Sequence, residues 1–329
     1  MKKKIVVLLL IVLFSLTGCT TYVKDKKGVA VKEPTTGQTL ASNILCRPTN
    51  KNVIKTYEKN NVNIKKLPKC SKFTPASGKY KGLWEGLFIK PLSYLIIILG
   101  EILGNYGLSI ICVTILIRLV IYPISKKSAL QSENMKLAQK DMERLEKKYA
   151  NRDSKEDQMQ KAQEMMIIYK KYDINPMSGC IFAFIQMPLF FAFLESLNRL
   201  PIVFEGKFLG YNLGMSPFVK LFGNSLNFAH FFKAVCSVDI IYLFLPIIVG
   251  VSTYFSFKMA GMSNGSEDQQ RQMKTMMNTM LVFIIFTSFT MPTSIILYWI
   301  TGTLFTIIQT EMIRRLKNES RNSTKRIKK

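Results

Sequence analysis

Five stretches of this chain, at about 104–124, 178–198, 239–257, 275–291 and 294–313, are apolar runs of membrane-crossing length. A helix needs about 20 apolar residues to cross the hydrocarbon of a bilayer, where no water satisfies backbone polar groups. No other feature restricts the fold as much: the runs imply an all-α integral membrane protein with five transmembrane helices. The formal net charge of +25 lies mostly between and around the runs. A soluble nucleic-acid-binding domain would not separate charge from apolar residues in this way.

The N-terminus reads as a targeting segment. Lys2, Lys3 and Lys4 precede an apolar stretch, Ile5 to Leu16, that is short for a span. Leu16-Thr17-Gly18-Cys19 resembles a bacterial lipobox, which makes residues 1–18 a lipoprotein signal peptide and Cys19 the lipidated residue. Residues 19–82 are rich in Lys, Thr, Asn and Pro, and are expected to form a largely disordered, lipid-tethered extracellular tail. Their basic charge suits anionic membrane lipid. Residues 83–103, with Trp84 and Tyr94, are expected to be an interfacial amphipathic helix. Cys46 and Cys70 fall outside the membrane, where a disulfide and two free thiols are equally compatible with the sequence. No cysteine pair has metal-ligand spacing, so neither a metal nor a cofactor is expected.

Charge orients the chain. Segment 125–177 holds twelve basic residues and the tail 314–329 holds eight, whereas 200–238 has only Lys207, Lys220 and Lys233. The positive-inside rule then places the N-terminus outside and the C-terminus in the cytoplasm, with 199–238 an extracellular loop and 258–274 a cytoplasmic one. Within 125–177, Met135, Ala138, Met142, Leu145 and Tyr149 repeat at spacings of three and four. So do Met159, Ala162, Met166 and Tyr169, after a turn at Asn151–Ser154 where Asp153 or Ser154 would cap the second helix. This predicts a cytoplasmic helical hairpin with the two seams facing each other.

One residue disturbs the pattern. Arg118 lies inside the first run, about 9 Å from its inner end. Side chains lean toward a helix's N-terminus, which here points outward, so snorkelling to the cytoplasmic interface is disfavoured. An arginine facing lipid at that depth costs about 3 kcal/mol or more, so a wet or polar interior is implied. Thr114 and Tyr122 share its helical face, with Gly107 and Ser125 continuing the stripe. Gln186 lies in the second span, and Trp299, Thr303, Thr306 and Thr310 lie on one face of the fifth. Glu101, Glu195 and Asp239 all fall near span ends, so no acidic residue sits mid-span to neutralise Arg118.

These residues resemble the YidC/Oxa/Alb family of membrane protein insertases, in its Gram-positive lipoprotein form. The matching pieces are Asn105-Tyr106-Gly107-Leu108, Thr114 through Leu119 with Pro123, Gln186-Met187-Pro188, and Leu297-Tyr298-Trp299-Ile300 with Gln309. The resemblance covers about residues 83–315. It implies five helices around a hydrophilic groove, whose arginine, glutamine and tryptophan fall on Arg118, Gln186 and Trp299, with Thr114 and Tyr122 beside them. It also implies an insertase and chaperone of the bacterial cell membrane that moves nascent membrane proteins into the bilayer, alone or with the Sec translocon. The basic tail would offer contacts to the ribosome or to lipid headgroups. An enzyme is not expected, because His230 is the only histidine and no carboxylate pair lies in a span. The alternative is a small anion transporter or channel that uses Arg118 as its binding charge.

Overall fold

A computed structural model describes residues 20–80, 82–152, 154–175, 178–223, 227–259 and 267–327. The side chains of 178–185, 267–270, Met273 and 320–327 are not part of that description. The expected signal peptide and Cys19 lie outside the described residues.

The protein is an all-α membrane protein. Its helices are α1 (Lys51–Lys59), α2 (Lys90–Ile102), α3 (Tyr106–Val120), α4 (Tyr122–Tyr149), α5 (Lys155–Lys171) and α6 (Ser178–Asn198). They continue with α7 (Pro201–Glu205), α8 (Pro217–Phe222), α9 (Phe228–Val235), α10 (Ile241–Met259), α11 (Glu267–Thr290) and α12 (Thr293–Ile327). Two short antiparallel strands, Lys207–Phe208 and Tyr211–Asn212, form the one sheet among the described residues. Val238–Met259 and Thr293–Glu319 are each long and apolar enough to cross a membrane, and α3 with α4 would add a third if the bent pair is one span.

That bend falls inside the expected span 104–124. The helix breaks at Ile121 and turns by 69°, so the hairpin helix starts at Tyr122, inside the expected span. Pro123 accounts for the break: it has no N–H to donate to the preceding turn, but is well suited to the first turn of a new helix.

The chain divides into two compact units. One takes in the chain to Leu116 with Gln186–Ile247 and Phe286–Thr301; the other takes in Ile117–Ile185, Ile248–Ile285 and Gly302–Lys329.

In the first unit, residues 20–80 overturn the expectation of a largely disordered tail. Val23, Leu40, Ala41, Ile44, Val53, Tyr57 and Ile64 form a buried cluster, and Cys46 is bonded to Cys70. The Tyr57 hydroxyl donates to the Ala41 carbonyl at 2.9 Å, and burial pushes this phenol well above its ordinary range. Asn50 caps α1 by accepting from the amides of Asn52 and Val53. Composition misled here because most of the few apolar residues are used inside, and the disulfide supplements a core too small to suffice alone.

In the second unit, the expected hairpin forms from α4 and α5, and Ser154 is the cap, accepting from the Asp157 amide at 3.0 Å. The α4 seam is as expected, with Ala138, Met142, Leu145 and Tyr149 buried. The α5 seam is not. Of its expected residues Tyr169 packs inward, with Met165, Ile168 and Tyr172 in place of the others, while Met159, Ala162 and Met166 are exposed. Two apolar stripes compete on α5, and charge pairs choose between them. Lys148 donates to Glu164 at 2.6 Å, and Lys171 donates to Asp141 at 2.7 Å.

Tyr149 and Tyr172 donate to the same two carboxylates. The hydrogen bonds from Lys171 and Tyr172 hold Asp141 below its ordinary 3.8, and those from Lys148 and Tyr149 hold Glu164 below 4.5. A depressed carboxylate stabilises the fold above its unfolded pKa and loses that contribution as pH falls through the folded value. Hydrogen bonding to the same carboxylates raises Lys171 and Lys148 above 10.5, so their contribution is lost as pH climbs beyond that value. Spin labels at Lys147→Cys and Gln163→Cys should therefore hold a narrow distance distribution at neutral pH. It should broaden below the carboxylate range and again at strongly alkaline pH. A distribution unchanged after both carboxylates are fully protonated would show that apolar packing alone holds the hairpin.

Candidate functional site

The second unit builds a polar site around the last turn of α3. Arg118 is half-buried there. A Cβ on Gly302 of α12 would stand 2.7 Å from its Nη2 and 3.4 Å from Nε and Cζ. The guanidinium therefore rests against a glycine, and any larger residue at 302 would displace it. Gln309, two turns along α12, donates from Nε2 to the Ser125 hydroxyl at 2.6 Å, and Ser125 donates to the Tyr122 carbonyl at 3.0 Å. Thr303 donates to the Ser252 hydroxyl of α10 at 3.1 Å, and Ser252 in turn donates to the Val249 carbonyl. Hydroxyls and an amide thus occupy positions that lipid-facing helices would fill with Leu or Val. Such groups are kept inside because hydrocarbon offers them no partner.

Not every polar residue of the stripe contributes. Thr306 and Thr310 donate back to Gly302 and Thr306 carbonyls of their own helix. The Tyr122 ring is half-buried beside the helix break. Gly302 and Ser252 were not singled out in the sequence. A glycine at i−1 from Thr303 carries no chemistry of its own, and its role is visible only once α3 is laid against α12.

The remaining expected site residues belong to the first unit. Thr114 is buried and donates to the Ile110 carbonyl at 2.6 Å, bonding back to its own helix. Trp299 and Gln186 are both half-buried, and the Trp299 ring meets Phe190 edge-on at 5.2 Å. Phe193 stacks on Tyr298 at 4.0 Å, tying α6 to the start of α12. Arg118 and Tyr122 thus share one unit, and Thr114, Gln186 and Trp299 the other.

The first unit also holds a charge cluster absent from the sequence reading. Arg199, only 2% exposed, contacts Glu85 at 2.6 Å and Glu195 at 3.1 Å, and donates from Nε to the Asn43 carbonyl at 2.7 Å. Trp84 donates to Glu195 at 3.0 Å, and Lys90 lies 3.9 Å from Glu85. Two cations and two carboxylates therefore neutralise each other out of water. The Leu45 amide donates to the Arg199 carbonyl, and Glu205 accepts from the backbone of Thr49 and Asn50. These contacts fasten residues 43–50 to the ends of α6 and α7. A lone arginine at the end of a span needs no special explanation in a sequence, and so this one drew none.

Known proteins share most of this chain. The family model described as 60Kd inner membrane protein matches residues 98–321. The chain is 35% identical over 240 residues to a protein named membrane protein insertase YidC of Alkalihalophilus pseudofirmus, covering 72% of this chain and 84% of the relative. It is 34% identical over 242 residues to membrane protein insertase MisCA of Bacillus subtilis, covering 73% and 82%. It is 30% identical over 247 residues to membrane protein insertase YidC 2 of Bacillus anthracis, covering 74% and 87%. Arg118, Gly302, Ser125 and Gln309 all fall within the matched region, and with two thirds of its length covered the chain belongs to the 60Kd inner membrane protein family, the YidC/Oxa/Alb insertase group of Gram-positive bacteria.

Proposed function

We propose that this protein is a membrane protein insertase that moves apolar segments of nascent proteins into the bacterial cell membrane. The observation that carries the reading is Arg118, a half-buried cation laid on Gly302 among hydroxyl and amide groups, at the end of the otherwise apolar helix α3. The names of the relatives support it. In this reading five helices cross the membrane around a hydrophilic groove lined by Arg118, Gln186, Trp299, Thr114 and Tyr122. The N-terminus, lipidated at Cys19, lies outside and the C-terminus inside.

Arg118 attracts the acidic or polar tail that precedes a substrate's apolar segment, and the wet groove shortens that tail's path through hydrocarbon. The apolar segment then slides into lipid. Burial of about 20 apolar residues in the bilayer drives the step, so no bond is made or broken. Met159, Met166 and Ile167 on the exposed face of α5 offer a soft apolar surface to varied substrates. The protein works alone or beside the Sec translocon, and α12, helical to Ile327, carries basic residues toward the ribosome or lipid headgroups.

The test is depletion of the protein and measured integration of a single-span substrate with an acidic N-terminal tail. Through a wet groove one such charge contact contributes roughly 1–2 kcal/mol, so Arg118→Ala should slow integration about tenfold. Arg118→Lys should restore most of the rate, because the charge acts through water. Normal integration in the Ala variant would sink the reading. Loss of anion flux with intact integration would instead favour an anion transporter.

A further inference from the structure

Helix α9 is clamped on one side and bare on another. Phe231 stacks on Phe222 of α8 at 4.9 Å, and Ala234 is buried with Leu221 and Tyr242. At 3.6 residues per turn, Phe228, Ala229, Phe232 and the C-capping Cys236 fall within an arc of about 100° off that seam, the Phe228 ring at the arc's edge meeting Phe222 edge-on at 6.4 Å. All four are exposed, Phe228 at 62% and Phe232 at 69%. Lys233 and His230 separate the two faces, and His230 meets the Lys220 carbonyl at 3.2 Å. Lys220 is paired with Asp239 at 3.1 Å. In water, two exposed phenylalanines on one eight-residue helix would be an aggregation liability.

The position of α9 along the chain says what covers that face. α10 is 19 residues long, about 28 Å, close to the roughly 30 Å of hydrocarbon in a bilayer. Ile241 at its start therefore sits at the edge of the hydrocarbon when α10 crosses. Only residues 236–240 separate α9 from Ile241, a reach of at most about 20 Å, and Val238–Ile240 shorten it by forming a 3₁₀ turn. Val238 in that link is 84% exposed, and Ile241 and Phe244 continue the exposed apolar surface onto α10. The same level carries Lys233, Lys220 and Asp239, the mixture of apolar and charged groups that suits an interfacial helix.

We propose that α9 is an interfacial helix lying in the headgroup–acyl boundary of the leaflet where α10 begins, with Phe228, Phe232 and Cys236 in lipid. It acts as a float that holds the start of α10 at one depth, while Phe231 and Ala234 tie it to the rest of its unit. The proposal rests on α10 crossing the membrane and is independent of what the protein transports.

The native thiol of Cys236 is the probe. The full chain, with Cys112 and Cys180 replaced by serine so that Cys236 is the thiol left to label, carries an environment-sensitive fluorophore there and is placed in phosphatidylglycerol–phosphatidylethanolamine vesicles. Reference labels go on Lys207→Cys for water and Phe244→Cys for the acyl region. The label at 236 should be quenched several-fold more by acyl-chain spin-labelled lipid than by aqueous iodide, and Phe228→Ser with Phe232→Ser should move it toward the behaviour at 207. Iodide quenching equal to that at 207 would overturn the proposal. So would protection from both quenchers, which would mean a protein partner or second copy on that face. A Phe244 label out of reach of lipid would instead show that the premise about α10 had failed, and the proposal with it.

Discussion

Arg199→Ala is expected to cost the unit that contains it about 3–5 kcal/mol, because it strands two buried carboxylates beside a single lysine. The guanidinium now satisfies Glu85, Glu195 and the Asn43 carbonyl together, and among the described residues no other cation comes as close to either carboxylate. Lysine at 199 offers one ammonium for three separated acceptors, so Arg199→Lys should recover only part of the loss. A chain with Arg199→Met, Glu85→Gln and Glu195→Gln removes the charges as a set, and should be far more stable than the single alanine variant. Unfolding of the purified protein in mild detergent would measure this series. A shift under about 1 kcal/mol for Arg199→Ala would place the cluster with solvent-exposed ion pairs and contradict its burial.

Removing the Cys46–Cys70 bond should be nearly as costly, and the loss should be local. The bond closes a loop of 24 residues, for which chain entropy alone predicts about 3 kcal/mol. The cluster it supports is small, and a domain of about 60 residues is marginal without a staple. Cys46→Ser with Cys70→Ser should expose the lysines of residues 20–80 to rapid trypsin cleavage while the fragment from α2 onward survives. Cleavage of 20–80 at the wild-type rate would mean that the contacts of Arg199 and Glu205 hold the module without help. Combining the change with Arg199→Ala distinguishes the two contributions, since residues 43–50 carry both the bond and the docking contacts.

Much of this was legible in the chain. Apolar length pointed to membrane helices, and the three-four periodicity of Met135 to Tyr149 located the hairpin with the correct α4 seam. Arg118 stood out because a charge among apolar residues is costly wherever it faces lipid. The pairing of Ser125 with Gln309 joins two positions already marked, one by the stripe through Arg118 and the other by family resemblance.

What stayed hidden depended on contacts between distant segments. Composition described residues 20–80 by their surface lysines, and a handful of apolar residues could organise a core only by meeting across the module. The rotation of α5 differs from the seam through Met159 and Met166 that periodicity indicated, because a second apolar stripe is turned inward where Lys148 and Lys171 find carboxylates on the facing helices. Arg199 and Gly302 have no local signal, the one because charge at a helix end is ordinary, the other because its contribution is the absence of a side chain. Local periodicity and hydropathy are properties of neighbours along the chain, so the sequence alone established an all-α membrane protein and the misplaced charge. Which buried charges neutralise one another, and where a guanidinium finds room, are properties of neighbours in space, and those came from the packing of helices that lie far apart in sequence.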